Sequence, residues 1–568
     1  MKHLIISAML LTLMNSLMAQ QETWITNANL LDPVKKTVQS GMTVVIKGNT
    51  ITAIHKKKAP PEATVIDATG KYLMPGLTDA HVHFFQSGGL YTRPDIIDLR
   101  HVYPYEKEIK WVHDQFEDQL RRYLRNGITT VIDVGTSNRF LARRESVNNQ
   151  SYAPQVYMSG PIISVMKQSF YDTLKDDAPF VWAADSITAR KLVRDQVAMK
   201  ADLIKLYYAI DGEPAEKFLP VIRAAIDEAH KNKLRVAVHA TERLAVQLAV
   251  EAGIDYLVHS VQEEDLDDAT IALIKKNKVL VCPTLNVENG YLHTFDRSRM
   301  FTTHELIHAS PFALSSLYDL KQFPDTAIAN KYKMLAANHV AKSDRINRVS
   351  AQNLKKLVDA GVTIVSGSDA GNIGTLHATS LYNELQQMQL AGMNNWQLIQ
   401  SATINAAGIL QLPGFSGNIA VGQPARMILL DADPVADLSN LQKIYRVIQN
   451  GQVVNPDTLI HETPEVLVQR QLNAYNTRNM EAFLDTYADD VEMRKQSGTL
   501  ICKGKEAFKK KYFFFDLAKL LHCRIVKRIV DKNFVVDEEH VIDDRGSFGG
   551  TAIYEVKNGK ISKVSFLE

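Results

Sequence analysis

Cysteine is nearly absent, with three in 568 residues, and this excludes a disulfide framework as the source of stability. Cys282 falls within an apolar run, which leaves Cys502 and Cys523 as the one pair to consider; both read more simply as small core residues. Net charge is missing as well. Lys plus Arg number 65 against 63 Asp plus Glu, so no overall field draws in nucleic acid or an anionic membrane. Beyond the first residues no apolar run is long enough to span a bilayer, and neither internal repeats nor low-complexity tracts occur.

What remains is the composition of a globular protein, 45% hydrophobic and 23% charged, in a chain long enough for two or three domains. Residues 1–19 run from Met1-Lys2-His3 through an apolar stretch to Met18-Ala19, the pattern of a secretory signal peptide. The expectation is export to the periplasm or beyond, with no stable membrane insertion after cleavage.

From Met74 to about Leu412, apolar strand-like runs alternate with amphipathic helical stretches, as in parallel sheets covered by helices. The runs are Met74 to His83, Thr129 to Val134, Gln155 to Ser159, Leu203 to Tyr208, Leu234 to Ala240, Tyr256 to Ser260, Val279 to Leu285 and Val362 to Asp369. Repeated strand-then-helix units of this number fit a closed (β/α)8 TIM barrel over 74–412, an α/β fold. The long connections Pro161 to Asp185 and Asn286 to Arg345 are rich in aromatics and are candidates for a lid. The flanks, 23–73 and 413–455, read as strands and turns that pair into one small β-sandwich. After a polar linker, 464–568 turns to an α+β pattern: helix over Glu465 to Tyr487, helix over Lys503 to Lys519, then strands from Cys523 to Leu567.

Polar side chains able to hold metals sit at the carboxyl ends of the apolar runs: His81, His83, Lys205, His239, His259 and Asp369. Strand alternation places His81 and His83 on one face. A parallel barrel gathers its strand ends at one mouth, so residues far apart in sequence converge there. Singly, each has an ordinary explanation: a hydrogen-bonded core histidine, a lysine on an outer face, an aspartate capping a helix. Together they describe one metal site. By the same alternation Asp79 shares the face of His81 and His83 and is a candidate to orient an imidazole. Tyr207, inward with Lys205, and His377 are candidates for substrate contact or for packing.

The segment Met74-Pro75-Gly76-Leu77-Thr78-Asp79-Ala80-His81-Val82-His83 resembles the metal motif of the amidohydrolase superfamily. With Glu228-Ala229-His230, Val236-Ala237-Val238-His239-Ala240, Pro283-Thr284-Leu285 and Ala402-Thr403-Ile404-Asn405-Ala406-Ala407, it is most similar to the imidazolonepropionase-like and Xaa-Pro dipeptidase branch. The resemblance implies two divalent ions, zinc first among the candidates: His81, His83 and Asp369 on one, His239 and His259 on the other, and Lys205, carboxylated to a carbamate, between them. It implies hydrolysis of an amide or cyclic amide carbon-nitrogen bond in a small molecule by a hydroxide held on the ions, with Asp369 as acid and base. Tyr207-Tyr208-Ala209-Ile210-Asp211-Gly212 replaces the glycine-rich segment of the dipeptidases and argues against a dipeptide substrate.

Other readings compete. A single-ion, deaminase-like site with Lys205 unmodified is the nearest. His304-Glu305-Leu306-Ile307-His308 fits the zinc-peptidase pattern of two histidines one helical turn apart. Residues from Glu465 onward resemble the SnoaL-like group of the nuclear transport factor 2 superfamily, through Gln471-Leu472-Asn473-Ala474-Tyr475-Asn476 and Phe483-Leu484-Asp485-Thr486-Tyr487. That implies a cone-shaped fold serving as isomerase, ligand binder or homodimerisation module. Asp537, Glu538, His540 and Asp543 read there as a solvated hairpin.

Overall fold

The computed structural model describes residues 22–210, 212–321 and 326–567, so the signal-peptide segment and Asp211 lie outside the described residues. Among the described residues no helix is long and apolar enough to cross a membrane. The described residues divide into two compact units, one of 22–87, 91–210, 212–292 and 337–459, the other of 88–90, 293–321, 326–336 and 460–567.

The first unit is built on parallel strands rich in β-branched residues and buried on both faces. Leu77–Val82, Ile128–Asp133 and Gln155–Met158 form a three-stranded sheet, and the middle strand Ile-Thr-Thr-Val-Ile-Asp has no exposed position. A six-stranded sheet runs in the order Phe180–Trp182, Ile162–Ser164, Leu203–Tyr207, Arg235–His239, Tyr256–Val258 and Leu280–Cys282. Asp202 donates its N–H to the Met158 carbonyl at 2.8 Å, linking the two sheets. Residues 362–370 contribute parallel bridges to both, Ile364 with Val281 and Ala370 with Val82. That segment forms no continuous ladder, because it carries Gly367 and a left-handed Asp369 at φ +55°.

Helices cover these strands and begin and end where local chemistry dictates. The Asp185 and Asp267 carboxylates accept the N–H groups of Thr188 and Thr270 at the starts of Ser186–Ala198 and Asp268–Lys276. Gly127, which follows Tyr105–Arg125, has φ +73°, the conformation a non-glycine residue adopts at a cost. Strands from both flanks join one sheet: Tyr72–Pro75 pairs with Glu22–Asp32 on one side and with Met427–Leu430 on the other. Its core is Ile25, Val44, Ile46, Leu73, Met427, Leu429 and their neighbours.

The two long connections contain elements of their own. Residues 161–185 supply two strands of the six-stranded sheet and a short helical stretch over Ser169–Asp177. Of the second, the helix Asn286–Phe295 begins in the first unit, whereas 293–336 belongs to the second. Hydrogen bonds within that unit account for this: Asn473 Nδ2 to the Pro311 carbonyl at 2.8 Å, Gln469 Nε2 to Ser315 Oγ at 3.1 Å and Asn479 Nδ2 to Thr303 Oγ1 at 3.0 Å.

The second unit carries a six-stranded sheet in the order Leu500–Lys503, Tyr487–Lys495, Lys560–Leu567, Gly546–Lys557, Phe534–Asp543 and Leu521–Asp531. The expected helix over Glu465 to Tyr487 is two helices, Pro464–Asn476 and Met480–Asp485. Arg478 at φ +55° breaks the first, and Asn479 caps the second by accepting the Ala482 N–H at 2.9 Å. Lys503 to Lys519 shortens to Lys505–Lys511 and a single-turn Phe513–Asp516. The supposedly solvated hairpin also needs correction. Alternation turns Asp537 inward, 1% exposed, where Arg528 grips it through Nε at 2.7 Å and Nη2 at 2.6 Å. All three cysteines are free thiols.

Candidate functional site

The residues singled out at the strand ends meet. His83, Lys205, Tyr207, His239, His259 and Asp369 line one cavity of about 300 Å³, together with Phe85, Gln86, Arg93, Phe180 and Tyr291. His81 lies beneath it, fully buried, with Nε2 3.2 Å from His83 Nε2 and 3.2 Å from Asp369 Oδ1. His83 Nε2 is 3.1 Å from the same oxygen. The rings of His81 and His259 are 5.1 Å apart, those of His239 and His259 4.4 Å.

The local backbone explains how these side chains are aimed. Lys205 pairs in register with Ala237 and Tyr207 with His239, so Lys205 and Tyr207 project from one face of their strand. The expected strands stop early where the chain turns left-handed: His259 has φ +79°, Thr284 +47° and Asp369 +55°. For a β-branched threonine this conformation is strained, and such strain collects at functional sites. Gly367 permits the close pass of the last segment, since a Cβ there would lie 2.6 Å from His81 Cβ.

Tautomers follow from the partners. His83 Nδ1 lies 2.8 Å from the Gly135 carbonyl, which only accepts, so Nδ1 carries the proton and Nε2 keeps a lone pair aimed at His81 and Asp369. Burial holds His81, His239 and His259 well below the usual imidazole pKa, and the nearby Lys205 adds to this for each. These are neutral rings. Asp369 Oδ1 is buried without a hydrogen bond, as is His81 Nδ1. The His83 lone pair 3.1 Å from a carboxylate oxygen, with His81 Nε2 3.2 Å from the same oxygen, fits a shared cation. Ligand atoms of His81, His259 and Asp369 all fall within 4.8 Å of one another.

Lys205 is 2% exposed, and burial pulls its ammonium down to about 7, against the opposing pull of Asp369. A substantial neutral fraction near neutral pH is what a nucleophilic amine needs. Asp79 is fully buried and burial pushes its carboxyl up to about 7. It accepts from the Ser368 hydroxyl at 2.6 Å, the Ser368 N–H at 2.9 Å and the His81 N–H at 3.4 Å, tying the His81 strand to the segment of Asp369. Asp79 thus braces backbone rather than an imidazole ring.

His377 is placed differently from a substrate contact. Its Nε2 donates to the Gln86 carbonyl and its Nδ1 accepts from Tyr123 Oη, both at 2.8 Å, and its ring stacks on Phe84. In the second unit, Glu305 of the zinc-peptidase pattern forms a capping box with Thr302 and pairs with Arg299 at 3.0 Å. That carboxylate is engaged in structure.

Other residues stand out only in three dimensions. Gln86 and Arg93 line the cavity, and Gln86 Oε1 is buried with no partner. Arg93 is held by Asp95 and reaches Tyr291 Oη at 3.1 Å and the Asn372 side chain. Asp133 was readable as an acid within an apolar run; it accepts the N–H groups of Phe84 and Gly135, both at 3.0 Å. Glu384, on a helix, gave no such signal.

Residues 72–454 match the amidohydrolase family, and residues 468–564 match the SnoaL-like domain. Among solved structures, a Xaa-Pro dipeptidase with methionine bound in its active site aligns with TM-score 0.60 and 22% identity over 77% of this chain and 100% of that one. Molinate hydrolase aligns with TM-score 0.59 and 18% identity over 78% of this chain and 97% of that one. An uncharacterized protein of Mycobacterium tuberculosis is 27% identical over 239 residues, 42% of this chain; the chain spans about half, 52%, of that relative's length.

Proposed function

The chain belongs to the amidohydrolase family, a SnoaL-like domain following the catalytic region, and from this premise we propose that it is an exported, metal-dependent hydrolase of an amide or cyclic amide bond in a small molecule. One observation carries the reading: His81 and His83 bring Nε2 to 3.2 and 3.1 Å of Asp369 Oδ1, with a ligand atom of His259 within 4.8 Å of those of His81 and Asp369, beside a cavity of about 300 Å³ that Lys205 and His239 also line. The strands of the first unit close into a barrel with this cavity at its mouth. The domains run 23–73 with 413–455, 74–412 and 464–568, after a cleaved segment at 1–19.

His81, His83 and Asp369 would hold one divalent ion, His239 and His259 a second, and Lys205, as its carbamate, both. Imidazole with carboxylate-type oxygen suits zinc. When bound, the ions supply an activated water and polarise the scissile carbonyl. The remaining work falls to side chains. Asp369 takes a proton from the attacking water at its carboxylate and returns it to the leaving nitrogen. Phe85, Ile162 and Phe180 offer an apolar wall, Tyr207, Tyr291 and Gln86 a polar one, to orient the substrate.

A single-ion variant with Lys205 unmodified draws on the tight grouping of His81, His259 and Asp369. Metal analysis of the purified chain, paired with a screen of cyclic amides, N-acyl amino acids, dipeptides and lactones, separates these readings. Turnover of a carbon-nitrogen substrate that stops on chelation and returns with zinc supports the proposal. Turnover that persists without metal removes it.

A further inference from the structure

His259 closes the site from one side, and its aim depends on a neighbour in an unfavourable conformation. Its Nδ1 lies 2.7 Å from Thr284 Oγ1; a proton donated along that line leaves Nε2 with its lone pair. Thr284 presents its hydroxyl there from a backbone at φ +47°. A β-branched residue keeps such a backbone only when its surroundings over-determine it. The preceding residue is Pro283, which has no N–H to donate, and its carbonyl accepts the Ser260 N–H at 3.1 Å.

On the other side a buried carboxylate takes hold of the chain. Glu384, on the helix Ser380–Leu390, is 0% exposed and receives the N–H groups of the next two residues, Leu285 at 3.0 Å on Oε1 and Asn286 at 2.8 Å on Oε2. Both oxygens are thus spent on the backbone that follows Thr284, and Glu384 is not among the residues lining the cavity. Burying a carboxylate is costly, and two neutral amide donors offset that cost only in part. A glutamine could keep one of these two bonds and an alanine neither. On the other side of the site Asp133 does the same for His83. It takes the Phe84 and Gly135 N–H groups, and the Gly135 carbonyl accepts from His83 Nδ1.

We propose that Glu384 is a positioning residue for the metal site, acting through the left-handed Thr284 to fix the tautomer and direction of His259. The inference rests on the proposed metal-dependent function for its effect on the ion, though the clamp itself stands without one. Partners that orient a metal-ligating imidazole typically contribute about 10- to 100-fold in metal affinity.

The test uses the full-length chain and four variants, Glu384→Gln, Glu384→Ala, Thr284→Val and Thr284→Ser, with two readouts. Zinc affinity is measured by competition with a chromogenic chelator. Amide hydrogen exchange of the metal-free protein is followed across residues 283–288. Glu384→Ala and Thr284→Val should each weaken zinc binding about 10- to 100-fold, Thr284→Ser should restore it relative to Thr284→Val, and Glu384→Gln should fall between. Combining Glu384→Ala with Thr284→Val should cost little more than the worse single change, because the two act as one unit.

Exchange at Leu285 and Asn286 should quicken in Glu384→Ala, with less change in Glu384→Gln, which covers the case in which the alanine variant folds poorly. Unchanged exchange and wild-type zinc affinity in both Glu384 variants would overturn the proposal, as would strictly additive effects on zinc. If the wild-type chain binds no zinc, the functional reading fails by itself, and exchange at Leu285 and Asn286 still decides whether Glu384 holds the turn.

Discussion

Asp369 Oδ1 stands 3.1 Å from His83 Nε2, a carboxylate oxygen facing an imidazole lone pair with no proton fixed between them. The contact joins the first strand of the parallel core to the last segment that bridges it. Replacing Asp369 by Asn removes the negative charge and the proton acceptor while keeping the shape. We expect kcat to fall by about 10²- to 10⁴-fold, with a thermal transition close to that of the wild type. An Asn variant retaining more than a tenth of wild-type kcat would remove Asp369 as acid and base.

Gln86 lines the cavity with a buried side-chain oxygen that has no partner in the protein. A substrate N–H or O–H bound there would gain one hydrogen bond, worth about 0.5–1.5 kcal/mol. Gln86→Leu should therefore raise KM by roughly 3- to 10-fold and leave kcat within about twofold, as expected of binding shared by ground and transition states. Steady-state kinetics decide it, and an unchanged KM would place Gln86 outside the substrate's reach.

The His304 and His308 pair belongs to the second unit, and the glutamate between them is tied to Arg299 and Thr302. Replacing both histidines by alanine should leave metal content and turnover at wild-type values. Loss of metal with retained folding would instead revive the peptidase reading.

Glu539 supplies a pH dependence. Tyr554 Oη donates to its carboxylate at 3.0 Å, yet burial raises it to about 7 from an ordinary 4.5. A carboxyl raised on folding favours the native state while protonated. Its stabilising effect is complete below pH 4.5 and is lost as pH rises through about 7. Glu539→Gln should therefore be no better than wild type near pH 5 and more stable near pH 8, read as the difference in melting temperature. Equal differences at the two pH values would contradict this.

The legible parts of the sequence were those where one local rule acted alone. Alternation placed Lys205 with Tyr207, and the apolar runs marked most of the parallel strands, because burial on both faces demands apolar residues throughout. Strand ends were misjudged where the chain turns left-handed at His259, Thr284 and Asp369, since no propensity favours that conformation for these residues. That residues 303–315 pack with the C-terminal helix was not legible, because sequence order carries no information about which partners Asn473 and Gln469 will hydrogen-bond. Asp537 reads as a surface acid in the sequence because its partner, Arg528, is recognisable only once the two strands pair. Glu384 was invisible for a similar reason: its partners are backbone N–H groups of Leu285 and Asn286, which leave no mark in the residue pattern.

The central claim is that scattered strand-end residues bind metal together. Inductively coupled plasma mass spectrometry on the full-length chain, purified without chelators, addresses it directly. The account predicts about two equivalents of a divalent transition ion per chain, zinc foremost, falling sharply when His81 and His83 are both replaced. Purified, folded protein carrying no stoichiometric transition metal, and taking up none on incubation with zinc, would contradict it.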